Sequence, residues 1–359
     1  MEIRVSLHEV NVAVSITRLC WLVASVAAPN LAVPACATPL GNYTYAVLDA
    51  PGAVSTTASA VNGNGLVAGI YNDSNKAPQP FVWSAGSFTV LKPKVGTLHV
   101  RGINAINDQG IVALYASAKP NMLPFVGFLY DLNTGKTTEV NVFGNPAEIS
   151  GLNNKGAYVG TEYDYNTNSI EGYLVQKHVT SYVTLPGSEY SYANAISDKG
   201  VVVGSYFVTG GIEQDFTLQN GTYTTWMPKP TLNSEPIYID SAGDIAGNLE
   251  TSKGPFEGFI KRKAGYKILS YPQSTNTEMV AVIPGGQAIG TYNTQTEGTE
   301  FTFNFVGGVY YNLSPPNAMN QVIAGGMNEN GTIVGSFSDG THLLGFVATC
   351  AGGANACSN

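Results

Sequence analysis

Three glutamates, Glu148, Glu235 and Glu278, each stand five residues before a recurrent turn, and Thr57, Gly102, Tyr192 and Ile323 hold the matching positions elsewhere. Carboxylates brought together at one mouth can bind a cation, accept sugar hydroxyls, or drive their pKa values apart for acid–base work. Tyr192, Arg101 and Tyr238, with His99 and Tyr190, are candidate neighbours in such a ligand site. The plainer alternative is a set of solvated loop charges that point apart. A second group, Asp164, Asn166, Asn168 and Glu171, places oxygen side chains at alternate positions ahead of a carboxylate, as a calcium loop does. Ser169 stands where such a loop carries glycine, so an Asx-rich turn explains the run as well. No other cofactor is expected. Tyr71, Tyr206, Tyr292 and Phe337 recur at one repeat position, where they either stack on sugar rings or pack between repeats. The chain has no P-loop, G-x-S-x-G, H-E-x-x-H or C-x-x-C motif, so no catalytic residue is named.

The elements that position these residues are copies of one unit. Turn glycines fall at Gly65, Gly110, Gly156, Gly200, Gly243, Gly286 and Gly331, with successive spacings of 45, 46, 44, 43, 43 and 45 residues. A second glycine follows four places on at Gly69, Gly160, Gly204, Gly247, Gly290 and Gly335, whereas the second copy has Leu114. In AISDKGVVVGSY, residues 195–206, Ile196 closes one strand, the polar turn follows, and Val201, Val202 and Val203 open the next. A third strand begins around an aromatic in every copy: Phe81, Phe128, Tyr173, Phe216, Phe259, Phe301 or Phe303, and Phe346. Glycine hairpins then lead into a fourth strand, which in the second copy is expected to run from Lys136 to Val142. A period of this length with strand-like content predicts a seven-bladed β-propeller of four-stranded antiparallel blades.

The last copy stops after its third strand. Near the chain start, residues 43–50 read as a spare fourth strand, and Tyr45 to Asp49 is expected to pair with Leu343 to Ala348 and close the ring. An unpaired edge there would template aggregation. Long polar loops gather at one end of the blades and tight turns at the other, which places localised function on the long-loop face.

Charged residues make up 12% of the 359 residues, against a usual share of roughly 25%. The net charge of −8 argues against nucleic acid or an anionic membrane as a partner. Residues 1–37 read as a signal peptide: Arg4 and Arg18 precede an apolar run that ends at Ala35-Cys36-Ala37. Arg18, Pro29, Asn30 and Pro34 interrupt that run, so no integral membrane segment is expected. Residues 38–359 then form one exported domain, with a tail from 350 to 359. In an exported chain, Cys350 and Cys357 are expected to form a disulfide.

The segments AINDQG, GFLYDLNTG, AISDKGVVVGSY and MNENGTIVGSF resemble the HAF-repeat family of bacterial extracellular proteins over nearly the whole mature chain. The H-A-F triplet itself is replaced by Gln79-Pro80-Phe81, Val126-Gly127-Phe128 and Leu344-Gly345-Phe346. The resemblance implies a secreted or periplasmic, propeller-like protein and no particular activity. Taken together, these features lead to the expectation of a secreted, non-enzymatic module that binds an extracellular glycan or protein through its long-loop face. The alternatives are a polysaccharide lyase or glycosidase using the three glutamates, and a structural envelope protein.

Overall fold

The computed structural model describes residues 43–119, 125–164, 169–208, 210–211, 213–229, 233–250, 256–294 and 299–350. The proposed leader, Cys357, Asn166 and Asn168 lie outside the described residues. Among the described residues every regular element is a β-strand. Five units of four antiparallel strands follow one another in the order first, second, third, fourth, in a β-propeller arrangement. The fourth of the seven sequence copies is representative: Ser188–Ile196, Val202–Val208, Gln214–Gln219 and Thr222–Trp226. The strands of the first and seventh copies join in one eight-stranded sheet. There Tyr43–Leu48 pairs antiparallel with Leu343–Cys350, from Tyr43 opposite Cys350 to Leu48 opposite Gly345.

Each sequence signature has a physical cause. The second glycine of a copy lies directly opposite the third-strand aromatic: Gly69 faces Phe81, Gly204 faces Phe216, and Gly290 faces Phe303 rather than Phe301. Its other side meets the carbonyl of the residue five before the turn. A Cβ added at Gly160 would come within 1.8 Å of the Glu148 oxygen. Every inner strand also carries an irregularity in the same place, as between Ala193 and Ala195 and between Ala324 and Gly326. That bulge bends the inner strand where backbones crowd. Apolar side chains then pack between neighbouring copies. Ala157 and Val159 of the third meet Ala193, Ile196 and Phe216 of the fourth.

The tight-turn end is fastened laterally. The first residue of each turn is buried, and in every copy but the sixth, which has Ile283, its side-chain oxygen caps the turn, as when Asn107 Oδ1 accepts from the Ile111 amide at 2.9 Å. Its Nδ2 donates to the next copy: Asn62 to the Asn107 carbonyl (3.0 Å), Asn107 to Asn153 (3.1 Å), and Asn153 to Ser197 (2.9 Å). Asn328 donates to the Asn62 carbonyl at 2.8 Å. Ser197, Asp240 and Ile283, at the matching positions, have no amide donor to pass on.

One boundary differs from the sequence expectation. The fourth strand of the second copy was expected to run from Lys136 to Val142, but it divides into Thr137–Glu139 and Asn141–Val142. The second piece pairs with Asn145–Leu152 of the third copy. Phe143 and Gly144 both have positive φ, 49° and 100°. That pair makes a two-residue hairpin with the twist such turns favour, so the chain doubles back earlier than hydrophobicity suggests.

Candidate functional site

Four carboxylates gather where the fourth and fifth copies meet at the long-loop end. Glu213 precedes the third strand of the fourth copy and Asp215 lies within it. Glu235 and Glu250 come from Ser234–Ile239 and Ile245–Glu250 of the fifth. Asp215 is fully buried, and its Oδ2 accepts from Ser234 Oγ at 2.6 Å. Its Oδ1 has no hydrogen-bond partner among the described residues. Asn233 links two members: its Oδ1 accepts from the Glu213 amide (3.0 Å) and its Nδ2 donates to Glu250 Oε2 (2.8 Å). Asn194 Nδ2 reaches Glu235 Oε1 at 3.5 Å and the Pro236 carbonyl at 2.9 Å.

The group is electrostatically tense. Burial, aided by Glu235 and Glu250, pushes the Glu213 carboxyl up to about 8. Burial also lifts Asp215 well above the carboxylate range, with Glu213 and Glu235 adding to the effect. Half-buried Tyr192 is pushed up to about 12 by burial, then by Glu213 and Glu235. Packed carboxyls of this kind retain protons at neutral pH or require a cation.

Of the residues singled out from sequence, Tyr192 and Glu235 belong to this group. Burial pushes Glu148 up to about 7, beside Tyr173 of its own copy. Glu278 accepts from Asn276 and lies near Glu300. The three glutamates therefore answer to different neighbours. Arg101 turns its Nε to Ser117 Oγ (3.2 Å) on the adjacent strand, and His99 is exposed. Tyr238 packs against the apolar layers between the fifth and sixth copies and between the sixth and seventh. Asp164 and Glu171 lie on strands Tyr158–Asp164 and Ser169–Gln176.

Asp215 and Glu213 escaped the sequence reading, yet one signal was available. The residue before the third-strand aromatic is Pro80, Gly127, Gly172, Gly258, Thr302 or Gly345 in the other copies. It is small where the next inner strand presses in: a Cβ at Gly172 would lie 2.9 Å from the Ala193 amide. A carboxylate at that crowded position departs from the repeat.

A pH dependence of stability follows. In the unfolded chain Glu213 loses its proton near pH 4.5, whereas in the fold it keeps it to about pH 8. The folded state therefore binds more protons between these values, and stability falls as pH rises through that window. Glu148, shifted to about 7, and Asp240, shifted to about 6, act in the same direction. Glu213→Gln is expected to flatten the decline and to stabilise the chain at pH 8 by on the order of 3 kcal/mol. Urea titrations at pH 5 and pH 8 measure it, and equal pH slopes in both proteins would refute the assignment.

No protein-family model matches the chain, and no curated protein sequence matches it. Among solved structures it is similar to a prolyl endopeptidase, at 13% identity and a TM-score of 0.54 over 80% of this chain and 47% of that one. It is similar to Pyrococcus horikoshii acylaminoacyl peptidase at 10% identity and a TM-score of 0.55, over 79% and 49%. The β-propeller domain of the Trilobed protease from Pyrococcus furiosus aligns at 11% identity and a TM-score of 0.54, over 74% and 86%. The chain thus spans about half the length of the first and second of these peptidases. Likeness at such identities establishes the β-propeller fold.

These neighbours correct the expectation of a non-enzymatic module for an extracellular glycan or protein, because the similar propellers belong to peptidases. Side-chain placement favours packing between repeats over sugar stacking for the recurrent aromatics. Of the four recurrent rings, Tyr206, Tyr292 and Phe337 pack inside, at 7%, 1% and 1% exposure, and Tyr71 is half-buried. The three glutamates of the lyase or glycosidase alternative have separate surroundings.

Proposed function

We propose that this chain is a peptidase-type propeller: the part of a peptide-hydrolysing assembly that receives the substrate, with bond cleavage assigned to no residue of this chain. The observation that carries the reading is the carboxylate group of Glu213, Asp215, Glu235 and Glu250 at the long-loop end, beside Tyr192. A peptide's terminal ammonium supplies the positive charge and N–H donors such a group lacks, and desolvated charge-assisted bonds hold it. The peptidase character of the similar folds supports the same choice.

In this reading seven blades form a ring closed by Tyr43–Leu48. The pairing of that strand with Leu343–Cys350 and the Asn328-to-Asn62 bond support closure. Export through the 1–37 leader and a Cys350–Cys357 disulfide starting at the last residue of the final strand complete the proposal. The test is fluorescence anisotropy with labelled tetrapeptides bearing either a free or an acetylated N-terminus. Binding is expected to need the free ammonium, and the Glu213→Gln/Glu235→Gln double variant is expected to bind about tenfold more weakly. Equal affinity for acetylated peptides, or no binding to either, would overturn the reading.

A further inference from the structure

A second cluster in the third copy departs from the repeat in the opposite sense. Two residues after the second glycine, the other copies carry Tyr71, Ala116, Tyr206, Leu249, Tyr292 and Phe337, apolar or aromatic throughout. The third carries Glu162, which is fully buried. Its Oε1 accepts from Asn145 Nδ2. Its Oε2 is buried with no hydrogen-bond partner among the described residues. A carboxylate oxygen left so costs several kcal/mol if charged, and a packing residue has no use for it.

Strand register shows what surrounds this oxygen. Glu162 lies opposite Glu171, Asp164 opposite Ser169, and Tyr173 opposite Tyr182. Residues at alternate positions share a face, so Glu162, Asp164, Glu171 and Tyr182 look to the same side of the sheet. Burial raises the Glu162 carboxyl and the Tyr182 hydroxyl, and both also feel Asp164 and Glu171. Glu171 Oε2 accepts from Thr184 Oγ1 (2.9 Å) and Ser191 Oγ (3.3 Å), which aims that carboxylate. Beside Tyr182 stands Phe143, the two ring centroids 4.6 Å apart. Phe143 is 61% exposed and Tyr182 41%. The hairpin geometry that projects Phe143 into solvent requires a positive φ, unusual for a large side chain.

We propose that this cluster binds a guanidinium group, with Glu162 and Glu171 accepting its N–H bonds and Phe143 and Tyr182 stacking on its plane. Two features select that cation. A planar fork of donors matches separated carboxylate oxygens better than a point charge does. Its weak hydration suits stacking on exposed aromatic rings. The proposal is independent of the peptide-receiving reading, because the two groups lie in different copies and share no residue.

Isothermal titration of the full chain with argininamide, agmatine, lysinamide and calcium chloride tests it. Argininamide and agmatine are expected to bind, with lysinamide about fivefold weaker. Similar affinities for agmatine and argininamide mean that the site reads the guanidinium alone. A clear preference for argininamide, or for an arginine-containing peptide, means that it reads the group within a peptide. Glu162→Gln, which keeps the Asn145 contact, is expected to weaken binding about tenfold. The surface change Phe143→Ala is expected to weaken it about threefold and to leave the melting temperature unchanged. Absence of binding, unaltered binding in both variants, or calcium displacing argininamide from the same residues would each overturn the proposal.

Discussion

Gly204→Leu is expected to leave the chain largely unfolded at 25 °C. A Cβ at this position would lie 1.9 Å from the Tyr192 carbonyl oxygen and 2.7 Å from the Phe216 ring. Both obstacles are fixed. The carbonyl belongs to the bulged inner strand, and Phe216 is fully buried in the layer between copies. The usual cost of overpacking is about 1–3 kcal/mol because side chains can give way. Here the backbone itself must move, so a cost on the order of 5 kcal/mol is expected, a large part of a domain's total. Gly221→Ala is the control: nothing lies within 4 Å of its Cβ, so only its positive φ is strained. That substitution should cost about 1 kcal/mol. Circular dichroism and urea titration distinguish the two, and a Gly204→Leu chain melting within a few degrees of wild type would contradict the glycine's assigned role. The second copy shows how leucine is accommodated naturally. Leu114 faces Phe128, and an additional register shift between Val100 and Gly102 moves the inner strand there.

What could be read in advance follows from what repeats. The paired glycine and aromatic recur because every copy meets the same steric demand, so spacing alone located Gly204 and Phe216. Equivalence was less useful for chemistry. Glu148, Glu235 and Glu278 share a repeat position, but that position sets only where the main chain lies. Each carboxyl then answers to its own neighbours, and only Glu235 joins a larger group. Asp215 and Glu162 lay hidden for the converse reason, because they occupy positions that other copies fill with small or apolar residues. Their signal was disagreement with the repeat, a local conflict that persists where a site needs it. The lateral asparagine relay was legible in principle, since Asn62, Asn107 and Asn153 recur one period apart. A turn-forming asparagine explains its own backbone so well that its second amide function goes unasked.

Removing Tyr43–Leu48 is expected to have an effect of similar size by a different route. The strand supplies six cross-strand positions along Gly345–Cys350. Leu48, with no exposure, buries its side chain between Gly345 and the first copy, which is worth about 1.5–3 kcal/mol. Its tyrosines reach further than its backbone. Tyr43 Oη accepts from Gln287 Nε2 (3.2 Å) and Asn304 Nδ2 (3.0 Å), and Tyr45 Oη accepts from the Ser314 amide (3.1 Å), all in the sixth copy. Each such bond contributes about 1 kcal/mol. The segment therefore fastens two copies at once, and its loss should lower stability by on the order of 5 kcal/mol. It would also bare the Leu343–Cys350 edge to other chains. Light scattering on warming should show early aggregation, and a synthetic YTYAVL peptide added in excess should suppress it by pairing with the same edge. Tyr43→Phe/Tyr45→Phe separates the contributions, since it keeps the ladder and removes only the hydroxyl contacts. An intermediate melting temperature is expected for that variant. A shortened chain as stable and as soluble as the parent would mean that the edge is protected by something other than this strand.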